Sequence, residues 1–424
     1  MSAAELVAQG LDFPTSLAFD AEGAPWVAES GLPFDGAAPG GRIRRIGPDG
    51  EVEKRVADLR WPVNGLSFHD GSFFIAEGGY PGRISRWKPG GELETVLDGL
   101  PGLGNYHTNM TAVGPDGWLY FSQGALTNSG VVGLDAYELG WLRRLPHNHD
   151  VPGYPVVLAG WNVETDNPLG TNGDRRVRTG AFSPFGVATD PGQRIEARLP
   201  CTASVMRCRP DGSGLELVAW GLRNAYGLLF LPDGRLLAMD QGADDRGSRP
   251  VGNAPDLLFE VRRGAWYGWP DFVGGVPVTD PRFRPQRGPA PQPVLANHGE
   301  LPPPEPPLMQ LAVNAAATKM AAIPETASRW PGQLLVTLFG DERPMTGPAG
   351  PRVGRSLARI DPSSWSLRAL TAGAFRRPID VQVIGQTVYV LDFGEFEMIP
   401  GGVEARAGSG ALWKIPLEAL EEIV

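Results

Sequence analysis

Nowhere in these 424 residues does an apolar run approach the roughly 18 needed to cross a bilayer as a helix, which excludes a helical membrane span. Runs of Lys or Arg are missing too, and with a formal net charge of −10 the chain lacks the basic footprint of a nucleic-acid or anionic-membrane binder. The N-terminal "MSAAELVAQGLDFPTSLAFD" has no basic segment followed by an apolar one, so no secretory signal is visible. The expected location is the periplasm or exterior if a signal has been removed, and the cytoplasm otherwise. Cysteine is scarce: Cys201 and Cys208 flank "TASVMR", with no zinc spacing. The pair reads either as a disulfide across paired strands or as two buried free thiols, and the second is the expectation. Long helical periodicity is absent until the C-terminal "LEALEEIV".

Turn-formers are abundant instead. The 57 Gly and 42 Pro sit between short apolar runs rather than in one tract, which points to many short strands and an all-β chain. One unit recurs: a small-residue strand, a "DG" turn, an apolar strand, a polar loop, then a strand of the type "GxIxRxxPDG". "PTSLAFDAEGAPWVAES" leads to "GRIRRIGPDGEVEKRVADL", and "VNGLSFHDGSFFIAEGG" to "GRISRWKPGGELETVLDGL". "HTNMTAVGPDGWLYFSQG" leads, after an insertion, to "ASVMRCRPDGSGLELVAWGL". "AYGLLFLPDGRLLAMDQG" leads to "PDLLFEVRRGAWYGWP", "ATKMAAIPETASRWPGQLLVTLFG" to "RSLARIDPSSWSLRAL", and "PIDVQVIGQTVYVLDFG" to "GALWKIP". Glycine supplies the positive φ of each hairpin, and each unit gives about four strands, one propeller blade. A lone blade cannot bury both faces, so six such blades close into a ring. The reading is a single six-bladed β-propeller over residues 1–424.

Glu29 to Glu77 is 48 residues and Glu77 to Gln123 is 46, ordinary blade periods. Gln123 to Gln241 is 118, which places an insertion at about 125–200 in blade three; Gln241 to Gly340 is 99, with a Pro-rich insertion at about 270–312 in blades four and five. Both read as loop by composition, and long propeller loops shape a pocket on one face.

Propeller sites draw residues from several blades, so polar side chains at equivalent blade positions are the candidates. His107 opens blade three and points toward the channel, either as a general base or as a satisfied channel histidine. Arg223 and Asn224 open blade four at the same position, suited to an oxyanion or carboxylate or else to structural pairing. The loop "DQGADDRGSRPVGNAPD" concentrates the oxygen donors Asp240, Gln241, Asp244, Asp245 and Asp256, which suit Ca²⁺ or form a solvated acidic loop. Arg376 and Arg377 open blade six, and add positive charge for an anionic ligand or stand exposed. Lys319 in "AAATKMAAIP" opens blade five and points inward. His147 and His149 in "HNHD" are a weak metal pair, and His69 sits exposed in a hairpin turn.

With "HTNMTAVGPDGWLYFSQG", "WGLRNAYGLLFLPDGRLLAMDQGADDRGSRPVGNAPDLLFEVRRGAWYGWPDF" and "RRPIDVQVIGQTVYVLDFG", the chain resembles the glucose/sorbosone dehydrogenases. These are six-bladed propellers that use pyrroloquinoline quinone (PQQ) with Ca²⁺. The resemblance is nearest to the sorbosone-dehydrogenase-like branch and runs from about Gly10 to Pro416. It implies His107 as the base that takes a hydroxyl proton while hydride passes to the quinone. Arg223 and Asn224 would contact PQQ, and Arg377, joined by Arg376 and Lys319, would meet its carboxylates. Gly242 and Ala243 would ligate Ca²⁺ through backbone carbonyls, and Asp256 with Tyr267 match a second, structural Ca²⁺ position. Three positions depart from the glucose-oxidising pattern: Val63 replaces a Gln, Tyr106 replaces the Asp before the base, and no Lys stands near Gly340.

The expected activity is therefore oxidation of a sugar or related alcohol or aldehyde, with electrons passed to an external acceptor. A Ca²⁺-dependent lactonase-type hydrolase, drawing on Glu29, Asn64 and Asn224, and a non-catalytic binding propeller are the alternatives, since fold alone does not separate them.

Overall fold

A computed structural model describes residues 4–170, 175–348, 350–371, 375–399 and 402–423. Six sheets, antiparallel apart from one added edge strand, stand around an axis, as the repeat predicts. The first strands of the blades are Pro14–Phe19, Val63–His69, Thr108–Val113, Ala225–Phe230, Ala317–Ala322 and Pro378–Ile384. Neighbouring first strands touch all the way round, so they form the innermost ring. Between blades the apolar side chains interlock. Trp26 of blade one packs on Phe73 and Trp87 of blade two, and Leu11, Leu17, Val27, Ile379 and Leu412 join blade six to blade one. Each fully buried aliphatic or aromatic contributes about 1.5–3 kcal/mol.

Blade six closes the ring with a strand from the other end of the chain. Glu5–Leu11 pairs antiparallel with Gly410–Pro416, which in turn pairs with Thr387–Asp392. Blade four also differs from the sequence reading. Its third strand is Pro255–Glu260, but "GAWYGWP" is not its outer strand: Ala265–Trp266 runs parallel to Glu216–Trp220 on the edge of blade three. The outer strand of blade four is Met309–Val313, which follows the Pro-rich segment. The C-terminal "LEALEEIV" forms only the short 3-10 turn Leu417–Ala419 and the strand Glu421–Glu422 on the edge of blade five. Cys201 and Cys208 are both buried free thiols.

The blade-three insertion is more ordered than its composition suggests. It holds the short helices Leu134–Glu138 and Trp141–Arg144 and the hairpin Asn162–Asp166 with Arg176–Gly180; the "TNGD" at the hairpin turn lies outside the described residues. The buried Arg249 joins it to the second insertion by donating to the Ser129, Pro270 and Gln292 carbonyls and to Asp271 at 2.7 Å.

One irregularity repeats in all six blades. Near the start of every first strand the register slips, with one residue more on the inner strand than on its partner. The slips fall at Thr15, Asn64, Asn109–Met110, Tyr226, Thr318–Lys319 and Ile379. A bulge of this kind re-aims side chains out of the ladder. Two of the slips are followed by glycine for steric reasons: a Cβ on Gly65 would lie 2.2 Å from the Asn109 carbonyl oxygen, and one on Gly227 2.4 Å from that of Thr318.

Candidate functional site

The slips place one side chain per blade over the axis. Thr15, Asn64, Asn109, Tyr226, Thr318 and Ile379 all line a single cavity of about 340 Å³. Amides circle its floor. Asn64 Nδ2 donates to Asn109 Oδ1 (3.4 Å), Asn109 Nδ2 to Asn224 Oδ1 (2.8 Å), Asn224 Nδ2 to Gln241 Oε1 (2.8 Å), and Gln241 Nε2 to the Ala317 carbonyl (3.1 Å). One wall is aromatic, with Phe34, Phe339, Phe393 and Phe396. Of the insertions, only the first lines the cavity among the described residues, through Leu139; the second, which leaves from the outer strands, does not reach it.

His107 lines this cavity, and its Nδ1 is buried without a hydrogen-bond partner. Burial pushes the imidazole down to about 4, with the Gly78 backbone opposing the shift, so the ring is neutral at physiological pH. Two glycines make room for it. A Cβ on Gly78 would stand 2.4 Å from His107 Cβ, and one on Gly124 2.5 Å from Tyr106 Cβ and 2.8 Å from Asn224 Oδ1. Hence "EGG" and "SQG", which end the second strands of blades two and three, are shaped by the site.

Arg223 is held on every side. Its Nε donates to the Asn128 carbonyl; Nη1 donates to the Gln241 and Gly242 carbonyls (3.2 and 2.5 Å); Nη2 reaches Asn128 Oδ1, the Tyr106 hydroxyl and Asp244 (2.9 Å). Its guanidinium lies 4.4 Å from the Tyr106 ring centroid. Tyr106, a departure from the glucose-oxidising pattern, thus serves as a platform, with its hydroxyl pushed up to about 12 by burial. Arg246, which sequence reasoning missed, binds Asp244, Asp135 and the Tyr106 hydroxyl.

The acidic residues act mainly as backbone anchors. Asp240 accepts the N–H groups of Arg223 and Asn224, and Asp256 those of Gly242 and Ala317; burial raises them to about 7 and about 6. Gly242, Ala243 and Asp256 line the cavity, whereas Tyr267 does not: its hydroxyl donates to the Glu260 carbonyl and accepts from Arg262 N–H in the apolar layer between blades three and four. Glu342 also lines the cavity. Burial raises it to about 7 against the pull of Arg377, whose Nη1 lies 3.2 Å from its Oε1.

Lys319 stands on the axis, with Nζ donating to the carbonyls of Thr15 and Asn64 (2.7 Å each) and lying 3.6 Å from Asp380. Arg377 is fully buried. It donates to the Phe339, Gly340, Asp341 and Phe396 carbonyls and to Glu397. Arg376 is exposed and pairs with Glu395 at 2.7 Å. Glu29 is buried against Arg42, Arg44 and the Asp12 N–H rather than facing the cavity, so the lactonase-type set of Glu29 with Asn64 and Asn224 is not assembled. His149 Nδ1 contacts the His147 carbonyl, and no cluster of three or more His, Cys, Asp or Glu is placed for a metal among the described residues.

This arrangement does not fit PQQ as it stands. A polycarboxylate needs free cations, yet Arg223, Arg377 and Lys319 spend their donors on protein oxygens. Among the described residues, the cavity is lined by two guanidiniums, Arg223 and Arg246, and by four acidic residues: Asp244 pairs with both of these arginines, Asp341 and Glu342 pair with Arg343 and Arg377, and Asp256 accepts backbone N–H groups. The Gly242 carbonyl, one of the two implied Ca²⁺ ligands, accepts from Arg223.

Fold and cavity together define a six-bladed propeller with a closed ring and an amide-floored axial site. No family model matches the chain, and no curated protein matches it. Solved structures of the same architecture do. The PQQ-bound aldose sugar dehydrogenase of Streptomyces coelicolor is 16% identical, with 99% of each chain covered and a TM-score of 0.57. The holo PQQ domain of pyranose dehydrogenase from Coprinopsis cinerea is 13% identical, covering 97% of this chain and 95% of that one at 0.57. A calcium structure of a family AA12 carbohydrate-active enzyme from Trichoderma reesei is 14% identical, covering 97% and 95% at 0.54. At these identities the likeness establishes the shared fold.

Proposed function

We propose that this propeller is an oxidoreductase that takes a sugar, or a related alcohol or aldehyde, into the axial cavity, with His107 as the general base. The observation that carries the reading is the neutral His107, with an unshared buried nitrogen beside a floor of amides. A neutral imidazole accepts a hydroxyl proton, and amides that both donate and accept suit a polyhydroxylated substrate. Oxidation also needs a hydride acceptor in the same cavity, and electrons then pass to an external carrier. PQQ with Ca²⁺, named for solved propellers of this fold, is the candidate to test despite the committed cations, and would supply an electron-accepting carbonyl if it bound.

The test is reconstitution. Purified protein is mixed with Ca²⁺ and PQQ, bound quinone is read by absorbance, and aldoses, alditols and aldehydes are supplied with an artificial dye acceptor. Dye reduction that is lost in His107→Ala supports the proposal. Absence of PQQ binding at micromolar protein overturns the PQQ reading and leaves the non-catalytic binding propeller, which the committed cations favour.

A further inference from the structure

One carboxylate stands where a ligand's carboxylate would be expected. Asp244 Oδ2 accepts from Arg223 Nη2 (2.9 Å), Arg246 Nε (2.9 Å) and the Tyr106 hydroxyl (3.1 Å). These donors come from three segments that meet at the cavity wall, and Asp244 lines that wall itself. Both guanidiniums that line the cavity, among the described residues, therefore have this one carboxylate in common, and Arg246 pairs with Asp135 as well. The loop that carries Asp244 is pinned independently, by Asp244 N–H donating to Asn128 Oδ1 (2.9 Å) and by Asp256 accepting from Gly242 N–H (2.8 Å).

We propose that Asp244 is an internal counter-anion that sets the charge selectivity of the axial cavity: it covers the Arg223–Arg246 pair and so excludes polyanionic ligands in favour of neutral or singly charged ones. The proposal rests on the reading that the axial cavity is the ligand site. A structural role alone does not account for the geometry, because neither arginine depends on Asp244 for its position. Without it, Arg223 keeps the Asn128, Gln241 and Gly242 carbonyls, Asn128 Oδ1 and the Tyr106 hydroxyl. Arg246 keeps Asp135 at 2.8 Å and the Tyr106 hydroxyl. What Asp244 adds is a negative charge, common to both, at the cavity wall. Removing its charge frees Arg246 Nε and leaves both arginines at the cavity wall without their common counter-charge, and a guanidinium with unspent N–H groups in a partly dry cavity is a strong carboxylate site. Neutralising the residue without changing its shape turns the cavity from one that repels polycarboxylates into one that takes them.

The experiment is equilibrium dialysis of the full chain and of Asp244→Asn, using PQQ with Ca²⁺ as one probe and citrate, a tricarboxylate without redox chemistry, as the other. Asp244→Ser is measured in parallel. The expected result is a tenfold to hundredfold tightening for both probes in the variants, diminished by salt. Unchanged or weaker binding of both probes in the variants overturns the proposal. So does loss of a cooperative thermal transition in both variants, which would make Asp244 a structural counter-ion. PQQ binding gained only in the variants supports this assignment while counting against native use of PQQ. Equally tight PQQ binding in native protein and variants supports native PQQ use and overturns this assignment.

Discussion

Replacing Lys319 with Met tests whether the propeller is braced along its axis. The Nζ joins three blades besides its own, through the Thr15 carbonyl of blade one, the Asn64 carbonyl of blade two, and Asp380 of blade six. Burial has already lowered Lys319 to about 8 from its ordinary 10.5, and Asp380 is pushed up by burial too, so the pair is held in a dry site at a cost. Removing only the cation leaves Asp380 without its counter-charge and two buried carbonyls without a donor. Breaking one partner of a buried pair typically costs about 3–5 kcal/mol, whereas neutralising both costs far less. Lys319→Met should therefore lower the urea-unfolding free energy by about 3–5 kcal/mol at pH 7, and adding Asp380→Asn should recover about half of the loss. The pH dependence has a definite sign. Between about pH 8 and 10.5 the unfolded chain keeps this proton while the folded one has released it. Native stability therefore gains a component that rises with pH, and Lys319→Met should lack it. A Lys319→Met protein within about 1 kcal/mol of native, or a double variant with simply additive losses, would refute the reasoning.

Two further outcomes concern His107. Gly78→Ala puts a methyl 2.4 Å from His107 Cβ, so the ring must move; turnover should fall about a hundredfold with substrate binding much less affected, which a split of kcat from KM will show. His107→Gln should change acid stability. With the folded imidazole near 4 and the unfolded one near its ordinary 6.5, the unfolded chain takes up this proton first as the pH falls. Native protein should thus lose about 2 kcal/mol relative to the variant between pH 7 and 4.5, a figure discounted for the ring's partly open edge and measured by urea midpoints.

The blades were legible because their signals are local. "DG" turns, apolar strands of fixed length and a near-constant period need no tertiary information, and they place His107 and Asn224 correctly on one rung, since each directly precedes the first strand of its blade. Blade closure was not legible. Glu5–Leu11 is exposed along much of its length, so its pattern is weak, and its partner Gly410–Pro416 lies at the far end of the chain. Met309–Val313 was hidden behind prolines, while the more strand-like "GAWYGWP" paired with the neighbouring blade instead. The arginines show the limit most clearly. Sequence puts Arg223, Arg376 and Arg377 at blade openings, but whether a guanidinium faces a ligand or a carbonyl depends on which loops fold over it, and Arg377 is enclosed by the 339–341 backbone. Asn64 and Tyr226 had a usable signal, since each directly precedes a glycine required by the close approach of the next inner strand.

The six register slips have a consequence for how such a molecule changes over time. Thr15, Asn64, Asn109, Tyr226, Thr318 and Ile379 stand where the strand pairing slips, so the ladder itself does not fix their side chains, although Thr15 and Thr318 donate to the Val63 and Thr337 carbonyls. The frame and the floor of the cavity can therefore drift on separate clocks. A lineage can retain the ring while rewriting the residues that line the cavity, singly at Tyr226 or Ile379 and in concert where the amides of Asn64, Asn109 and Asn224 bond across blades, so conservation of the propeller frame in a descendant says little about what its centre holds.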